Sequence, residues 1–153
     1  MRPLHTRLNA RLLTWPAALY IAFIFLWYEQ YKLTGNQGSV DLFTTITDWL
    51  YLDGYEKPFR LTVATAEIIA SVLVLIPLTR MYGAVLSLGI ISGAIFFHVA
   101  SPLGIDPYQD GATLFKEACA VWVCSAFILA CHRQELIAVA RAWLGHPPIH
   151  ATS

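Results

Sequence analysis

The sequence has few charged residues, no excess of either sign of charge and no low-complexity segment. Charged residues make up 13% of its 153 residues, which is about half the usual share in a soluble domain. Basic and acidic residues are equal in number, so the formal net charge is zero. A basic surface of the kind that binds nucleic acid is therefore not expected. Residues 1–153 are predicted to form a single domain in apolar surroundings.

Cysteine is also scarce. The three cysteines, Cys119, Cys124 and Cys131, lie in one apolar stretch, and no Cys-x-x-Cys motif occurs. Cys124 and Cys131 share a helical face but are about 10 Å apart along the axis, which is too far for a disulfide. We predict that all three pack as small apolar side chains.

Motifs for metal ions or nucleotide cofactors are missing as well. Helical bundles that hold two metal ions use Glu-x-x-His motifs, and the sequence contains none. Haem-attachment and dinucleotide-binding motifs are also absent. No metal site is predicted, and a cofactor-bearing enzyme on this chain alone is not expected.

Long apolar stretches are abundant. Hydrophobic residues make up 57% of the chain, and the mean hydropathy is +0.56. Four stretches, at about residues 12–33, 58–78, 81–100 and 112–132, are close to the ~20 residues that cross a bilayer. Because backbone groups in hydrocarbon must bond within their own segment, these stretches are predicted to be helices. The predicted fold class is all-α, a bundle of four transmembrane helices with short amphipathic surface helices.

The positions of the arginines predict the orientation of this bundle. Six arginines flank the helix ends on one side of the membrane: Arg2, Arg7, Arg11, Arg80, Arg133 and Arg141. The two loops on the other side are rich in aspartate. The positive-inside rule therefore places both termini in the cytoplasm. The cytoplasmic half of the bundle, with Arg80 in its tight turn, is expected to lack buried ionisable groups.

Two segments outside the spans have helical amphipathic patterns, at about residues 39–52 and 133–144. In the first, Ser39 is the predicted N-cap, and Asp53-Gly54 is the predicted end. Two interpretations of this segment stay open, a connector resting on the membrane surface and a lid over the polar residues described next. The second segment is predicted to lie along the cytoplasmic surface.

Seven ionisable residues lie in or beside the outer ends of the four spans: Glu29, Lys32, Arg60, Glu67, His98, Lys116 and Glu117. We call them the outer cluster. Its formal charge sums to zero with histidine neutral, as mutual pairing of buried ions requires. Lys116 and Glu117 are adjacent, so helical periodicity alone does not decide which of them faces inward.

The outer cluster has two interpretations that stay open. In one, its charges pair to fix the helices at the membrane surface. In the other, a cavity open to the outside binds a small ligand, and Glu67 and His98 are its most buried titratable groups. A carboxyl group and an imidazole suit proton exchange with a quinone head group. Four aromatic residues are candidates for the cavity walls: Trp27, Tyr28, Tyr31 and Trp49.

Small residues on the third span form a Gly-x-x-x-Gly motif, Gly89 and Gly93. Such motifs allow close contact between membrane helices. The contact is predicted either within the bundle or between two copies of the chain in a homo-oligomer.

Several short motifs together resemble a known family. Tyr31-Lys32-Leu33-Thr34-Gly35 closes the first span, Glu67 lies early in the second, Gly93-Ala-Ile-Phe-Phe-His98 closes the third, and Lys116 begins the fourth. In their order and depth, these motifs resemble those of the DoxX-like family of small membrane proteins over roughly residues 17–133. The resemblance implies a four-helix bundle and functional roles for Lys32, Glu67, His98 and Lys116.

The resemblance also implies a biological setting, a bacterial inner membrane. Members of that family are associated with membrane redox chemistry, including a subunit of a thiosulfate:quinone oxidoreductase, and related eukaryotic proteins resemble assembly factors for membrane receptors. This chain lacks the paired cysteines of some redox-active relatives, so thiol chemistry is not expected. We expect an accessory, oxidoreductase-associated subunit that lies in the lipid bilayer, joins a membrane redox partner and has a quinone-like ligand. The alternatives are a non-catalytic assembly or scaffold protein and a small transporter.

Overall fold

The described part of the chain is entirely helical outside its turns and loops. The computed structural model describes residues 4–144, with side chains from residue 12 onward, and contains no strand in that range. Its six helices are α1 (Leu4–Thr34), α2 (Gln37–Trp49), α3 (Glu56–Leu75), α4 (Arg80–Ala100), α5 (Thr113–Cys131) and α6 (Arg133–Trp143). Arg2, which contributes to the predicted orientation, lies outside the described residues.

Four of these helices are long and apolar enough to cross a membrane. The candidate spans are Leu12–Thr34, Glu56–Leu75, Arg80–Ala100 and Thr113–Cys131. Their outer faces carry large exposed apolar side chains such as Phe23, Val72 and Val123, which suit contact with hydrocarbon better than with water. The prediction of an all-helical protein with four apolar spans is confirmed, and the fold is compatible with an integral membrane protein.

The four long helices form a closed ring in the order α1, α3, α4, α5, so that α1 and α5 also touch. Buried apolar side chains such as Ile21, Phe25, Val74, Val121 and Ile128 fill the core. We call one end of the bundle the turn end, where the turn of residues 76–79 joins α3 to α4. We call the opposite end the cavity end, where α1 and α4 finish and α3 and α5 begin.

The turn end is closely packed around Gly83 and Arg80. A Cβ atom on Gly83 would lie 2.4 Å from the backbone nitrogen of Val74, so α3 and α4 touch through a position that only glycine fills. Arg80 is 1% exposed. Its guanidinium donates hydrogen bonds to the Val74 carbonyl oxygen (2.9 Å) and the Thr14 hydroxyl oxygen (3.0 Å) and lies 4.0 Å over the Trp15 ring. The expectation that this half of the bundle has no buried ionisable group is therefore wrong.

The helix ends differ from the predicted ends for local reasons. Helix α1 begins at Leu4 rather than near residue 12, and α3 ends at Leu75 rather than near residue 78. The backbone of Ile76 is extended, as is favoured for a residue that precedes a proline. Asn36, not Ser39, caps α2 by accepting a hydrogen bond from the amide of Gly38.

The two amphipathic helices relate differently to the bundle. In α2, Phe43 and Ile46 are buried and the helix packs against α3. Its apolar face therefore meets protein, as the lid interpretation requires, and a position of α2 on a membrane surface stays a prediction. Helix α6 buries none of its side chains, which leaves the prediction that it lies along a membrane surface open.

Candidate functional site

A cavity of about 680 Å³ occupies the cavity end of the bundle, within the usual range for small-molecule sites. Helices α1, α3, α4 and α5 form its walls, and the buried face of α2 lies against it. Most of the lining is apolar or aromatic, including Phe25, Tyr28, Phe43, Phe59 and Phe97. Four members of the outer cluster also line it, namely Lys32, Glu67, His98 and Glu117.

The ammonium group of Lys32 is shared between two carboxylates. Lys32 and Glu29 are three residues apart on α1, which places them on one face, and their Nζ and Oε1 atoms are 3.1 Å apart. Lys32 also makes an ion pair with Glu67 of α3. Because all three side chains are largely buried, each charge depends on this pairing to offset its loss of hydration.

Arg60 lies beside the cavity lining and joins α3 to the end of α1. Its guanidinium pairs with Glu56 one turn earlier and donates a hydrogen bond to the Lys32 carbonyl oxygen. That oxygen belongs to the last turn of α1, where a cation is favoured by the helix dipole. Gly35 follows in the left-handed conformation (φ 68°), which is common after a helix end. Arg60 therefore fixes the backbone of Lys32 through its carbonyl oxygen.

His98 is 4% exposed and reaches the cavity near the end of α4. Its Nδ1 atom lies 2.7 Å from the Gly104 carbonyl oxygen. Because a carbonyl oxygen can only accept, Nδ1 carries the proton in the neutral ring, and Nε2 presents a lone pair. Within residues 12–144, Nε2 has no hydrogen-bond partner. Gly104 adopts a left-handed φ of 71° in the loop that supplies the carbonyl.

The structure decides between Lys116 and Glu117. Glu117 lines the cavity, and its Oε2 accepts a hydrogen bond of 2.5 Å from the Tyr28 hydroxyl. Lys116 points the other way and is exposed. Of the seven members of the outer cluster, Lys116 is thus the one that the structure does not bring to the buried group.

The burial and charge of the group differ from the sequence-based expectation. Glu29 and Arg60 are as buried as Glu67 and His98, so the last two are not uniquely deep. With Lys116 exposed and Glu56 included, the cations Lys32 and Arg60 face four carboxylates. The zero sum expected for the seven residues is therefore not reached within this group, and of the four carboxylates Glu67 and Glu117 line the cavity.

Two of the three glycines of α4, Gly89 and Gly93, line the cavity and do not mediate close packing within the chain. A Cβ atom on Gly89 or Gly93 would have nothing within 4 Å, and both residues line the cavity. The prediction of close contact within the bundle is wrong for this motif, and contact between two copies stays a prediction. The close contact occurs at Gly83, which lies outside the motif.

The loop of residues 101–112 meets α2 at the edge of the cavity. The Tyr108 hydroxyl donates a hydrogen bond of 3.0 Å to the Gly38 carbonyl oxygen. Partial burial, followed by the negative charges of Asp41 and Asp110, raises the pKa of Tyr108. The backbone amide of Ala112, with further donors in the loop, lowers the pKa of Asp106, and Asp106 Oδ1 accepts a hydrogen bond of 3.0 Å from the Asp110 amide.

The predicted aromatic walls are placed only in part. Trp27, Tyr28 and Tyr31 line the cavity. Trp49 lies behind the wall, with its ring centroid 6.2 Å from that of Phe97. Sequence reasoning missed Phe43, Phe59 and Phe97, because each reads as an ordinary apolar residue of a helix.

Comparison of this chain with family models, with curated proteins and with solved structures finds no match. The function of the chain is therefore inferred from the geometry of the site.

Proposed function

We propose that this chain is an accessory subunit of a quinone-linked redox system in a membrane, and that its cavity binds the head group of a quinone. The observation that carries the proposal is the composition of the cavity. A few convergent polar groups, Lys32, Glu67, His98 and Glu117, lie within an aromatic and aliphatic chamber, an arrangement typical of small-molecule sites.

The polar groups suit both redox forms of a quinone. The oxidised head group offers carbonyl oxygens that accept hydrogen bonds, and the ammonium group of Lys32 is a donor for them. The reduced head group offers hydroxyl donors, for which His98 Nε2 and the Glu117 carboxylate are acceptors. The role assigned to the chain is to bind and orient the ligand, while electrons come from the redox partner.

The proposal includes the DoxX-like resemblance, a bacterial inner membrane and a cavity end that faces outward. Support for the orientation comes from exposed Arg133 and Arg141, which lie beyond the turn end of α5, and from exposed Asp41 and Asp48 at the cavity end. In intact cells that express single-cysteine variants of the protein, an impermeant maleimide should label Tyr55→Cys and leave Trp143→Cys unlabelled. The opposite pattern would reverse the orientation.

Native mass spectrometry of the protein, purified from its own membranes in mild detergent, tests the ligand directly. We expect a bound quinone in the wild type. The Glu67→Gln and His98→Ala variants should lose it, because each removes a charge or an acceptor that lines the cavity. Wild-type occupancy in both variants would show that the site is assigned wrongly.

Adjacent residues provide a matched control for this experiment. Glu117→Gln removes a carboxylate that lines the cavity, whereas Lys116→Gln removes a charge on the exposed face of the same turn. Quinone occupancy should fall in the first variant and stay at the wild-type level in the second. Equal effects would indicate a general loss of charge or stability and not a ligand contact.

A non-catalytic assembly or scaffold role is the second candidate. It is favoured by the ion pairs of Lys32 and Arg60, which are made within the chain and need no ligand. Under this proposal, the cluster variants lower stability and change no ligand occupancy. Cross-linking in native membranes should then recover a partner protein, and a survey that recovers none would contradict the role.

A further inference from the structure

We infer that the ligand enters the cavity sideways from the bilayer, between α3 and α4, and that it is an amphiphile with a hydrocarbon tail that stays in this opening. The inference rests on the proposed function, which it deepens by assigning the class of ligand and its route. This route differs from the one that the sequence predicts, in which the cavity opens to the outside of the membrane.

The cavity reaches the protein surface between α3 and α4. Thr62 of α3 and Gly89 of α4 both line it, and both are exposed. Partly exposed Ala66 and Gly93 lie deeper along the same lining. All four residues belong to the membrane-spanning candidates, so this opening faces hydrocarbon if the bundle crosses a bilayer.

The opening is limited at each end by a contact between α3 and α4. Toward the turn end, Gly83 brings α4 into contact with the α3 backbone at Val74. Toward the cavity end, the rings of Phe59 and Phe97 bridge the two helices, with centroids 6.4 Å apart. Between these contacts α4 presents Gly89 and Gly93, and the space beside them is empty to 4 Å.

The polarity of the lining changes with depth. Around the opening it consists of small or apolar residues, including Val63, Ala66 and Ile90. The charged groups Lys32 and Glu67 lie inside, together with His98, whose Nε2 has no partner within residues 12–144. A molecule with a polar head and an apolar tail can therefore place its head among these groups and leave its tail in hydrocarbon.

A second opening has different chemistry. Exposed Asn36 and Tyr108 also line the cavity, outside the spans, where the hydrogen bond from Tyr108 to Gly38 closes part of the gap. The edge at Asn36 and Tyr108 is polar and suits a small solute that arrives from water, so the two routes can be separated by the tail of the ligand. Trp27 and Tyr31 of the α1 span also line the cavity and are exposed, but they carry large rings where α4 carries Gly89 and Gly93.

The experiment narrows the lateral opening and compares two quinones. The quinone-free wild type and the double variant Gly89→Phe, Gly93→Phe are reconstituted in phosphatidylcholine vesicles. One sample receives a long-chain isoprenoid quinone in the lipid, and the other receives tailless tetramethylbenzoquinone from the aqueous phase. Occupancy over time is read by native mass spectrometry. Val85→Phe is the matched control, because it adds a similar ring on an exposed part of α4 that does not line the cavity.

We expect the double variant to load the long-chain quinone at least about tenfold more slowly than the wild type, a change of about 1.4 kcal/mol in the barrier. Loading of the tailless quinone should slow by a smaller factor, because its route at Asn36 and Tyr108 is left open, and the circular dichroism spectrum should stay unchanged. Unchanged loading of both quinones would overturn the lateral route and leave the proposed function standing. Slowing of both quinones by the same factor would also overturn it, because the added rings would then obstruct the binding chamber and not one route into it. A wild type that binds neither quinone would overturn the proposed function as well.

Discussion

Both ends of the bundle bury cations, and Arg80 at one end is held differently from Lys32 at the other. At the turn end, Arg80 donates hydrogen bonds to the Val74 carbonyl and the Thr14 hydroxyl where α3 and α4 are in backbone contact at Gly83. At the cavity end, Lys32 pairs with the side-chain carboxylates of Glu29 and Glu67 beside an open chamber.

This difference separates a structural contact from a candidate site. Backbone carbonyls in a packed helix cannot move toward a ligand without breaking the helix. Side-chain carboxylates beside a cavity can exchange one hydrogen-bond partner for another. Burial of charge alone is thus a poor guide to function in this protein, and the empty space beside the charge is the better indicator.

Removal of Arg80 should have the largest effect on stability and none on the site. Arg80→Ala leaves the Val74 carbonyl and the Thr14 hydroxyl without this donor and opens a void in the packed turn end. We expect a loss of about 4 kcal/mol in the free energy of unfolding, measured by sodium dodecyl sulfate titration with circular dichroism.

The control for this variant is Arg133→Ala, whose side chain is exposed on α6 and should matter little. Quinone occupancy per folded Arg80→Ala molecule should equal that of the wild type. Loss of the ligand at unchanged stability would contradict the structural role and assign Arg80 to a functional site.

Removal of Lys32 should damage both stability and binding. Lys32→Met leaves the buried carboxylates of Glu29 and Glu67 without their shared cation. We expect a loss of about 3 kcal/mol, together with loss of the ligand. The double variant Lys32→Met, Glu67→Gln should regain part of the stability, because one stranded charge is gone, but should not regain the ligand. Recovery of binding in the double variant would contradict a role of these groups in binding.

The sequence predicts the position of residues along the helices well and their direction around the helix axis less well. Hydropathy locates the four spans, and the spacing of Glu29 and Lys32 correctly places both on one helical face. Such patterns do not fix the rotation of a helix about its axis when polar residues are adjacent, as at Lys116 and Glu117. Contact with another helix decides that, here through the hydrogen bond from Tyr28.

Two further features depend on tertiary packing in the same way. Arg80 follows a tight turn, where sequence favours an exposed, orienting arginine, yet the close approach of α3 and α4 buries it. The Gly-x-x-x-Gly motif indicates close packing, yet its glycines line empty space. Small residues permit both outcomes, because the sequence alone does not determine the distance between two helices.

A methyl group added to α4 should distinguish the packed end from the open end. Gly83→Ala places a Cβ atom 2.4 Å from the Val74 nitrogen, and we expect a loss of about 2 kcal/mol in the same detergent titration. Gly89→Ala meets nothing within 4 Å and should be neutral or slightly stabilising, because alanine favours helix. Equal losses in both variants would mean that α3 and α4 pack as tightly along the cavity as at the turn.

The smallest effect is expected where α2 meets the loop at the cavity edge. Tyr108→Phe removes the hydrogen bond to the Gly38 carbonyl, a contribution of about 0.5–1 kcal/mol, and should speed amide hydrogen exchange in α2.

Because the folded protein raises the pKa of Tyr108 above its usual 10.0, the protective contribution is complete below that value. It is lost as the pH rises through the raised pKa, since the folded state then holds a proton that the unfolded state has released. Amide exchange in α2 of the wild type should therefore accelerate above about pH 10 by more than the intrinsic exchange rate rises with pH. The acceleration should be smaller in Tyr108→Phe. The control is Tyr51→Phe, whose ring is 92% exposed. If Tyr108→Phe leaves the exchange of α2 unchanged at every pH, the contact does not hold α2 over the cavity, and the burial of Phe43 and Ile46 holds it alone.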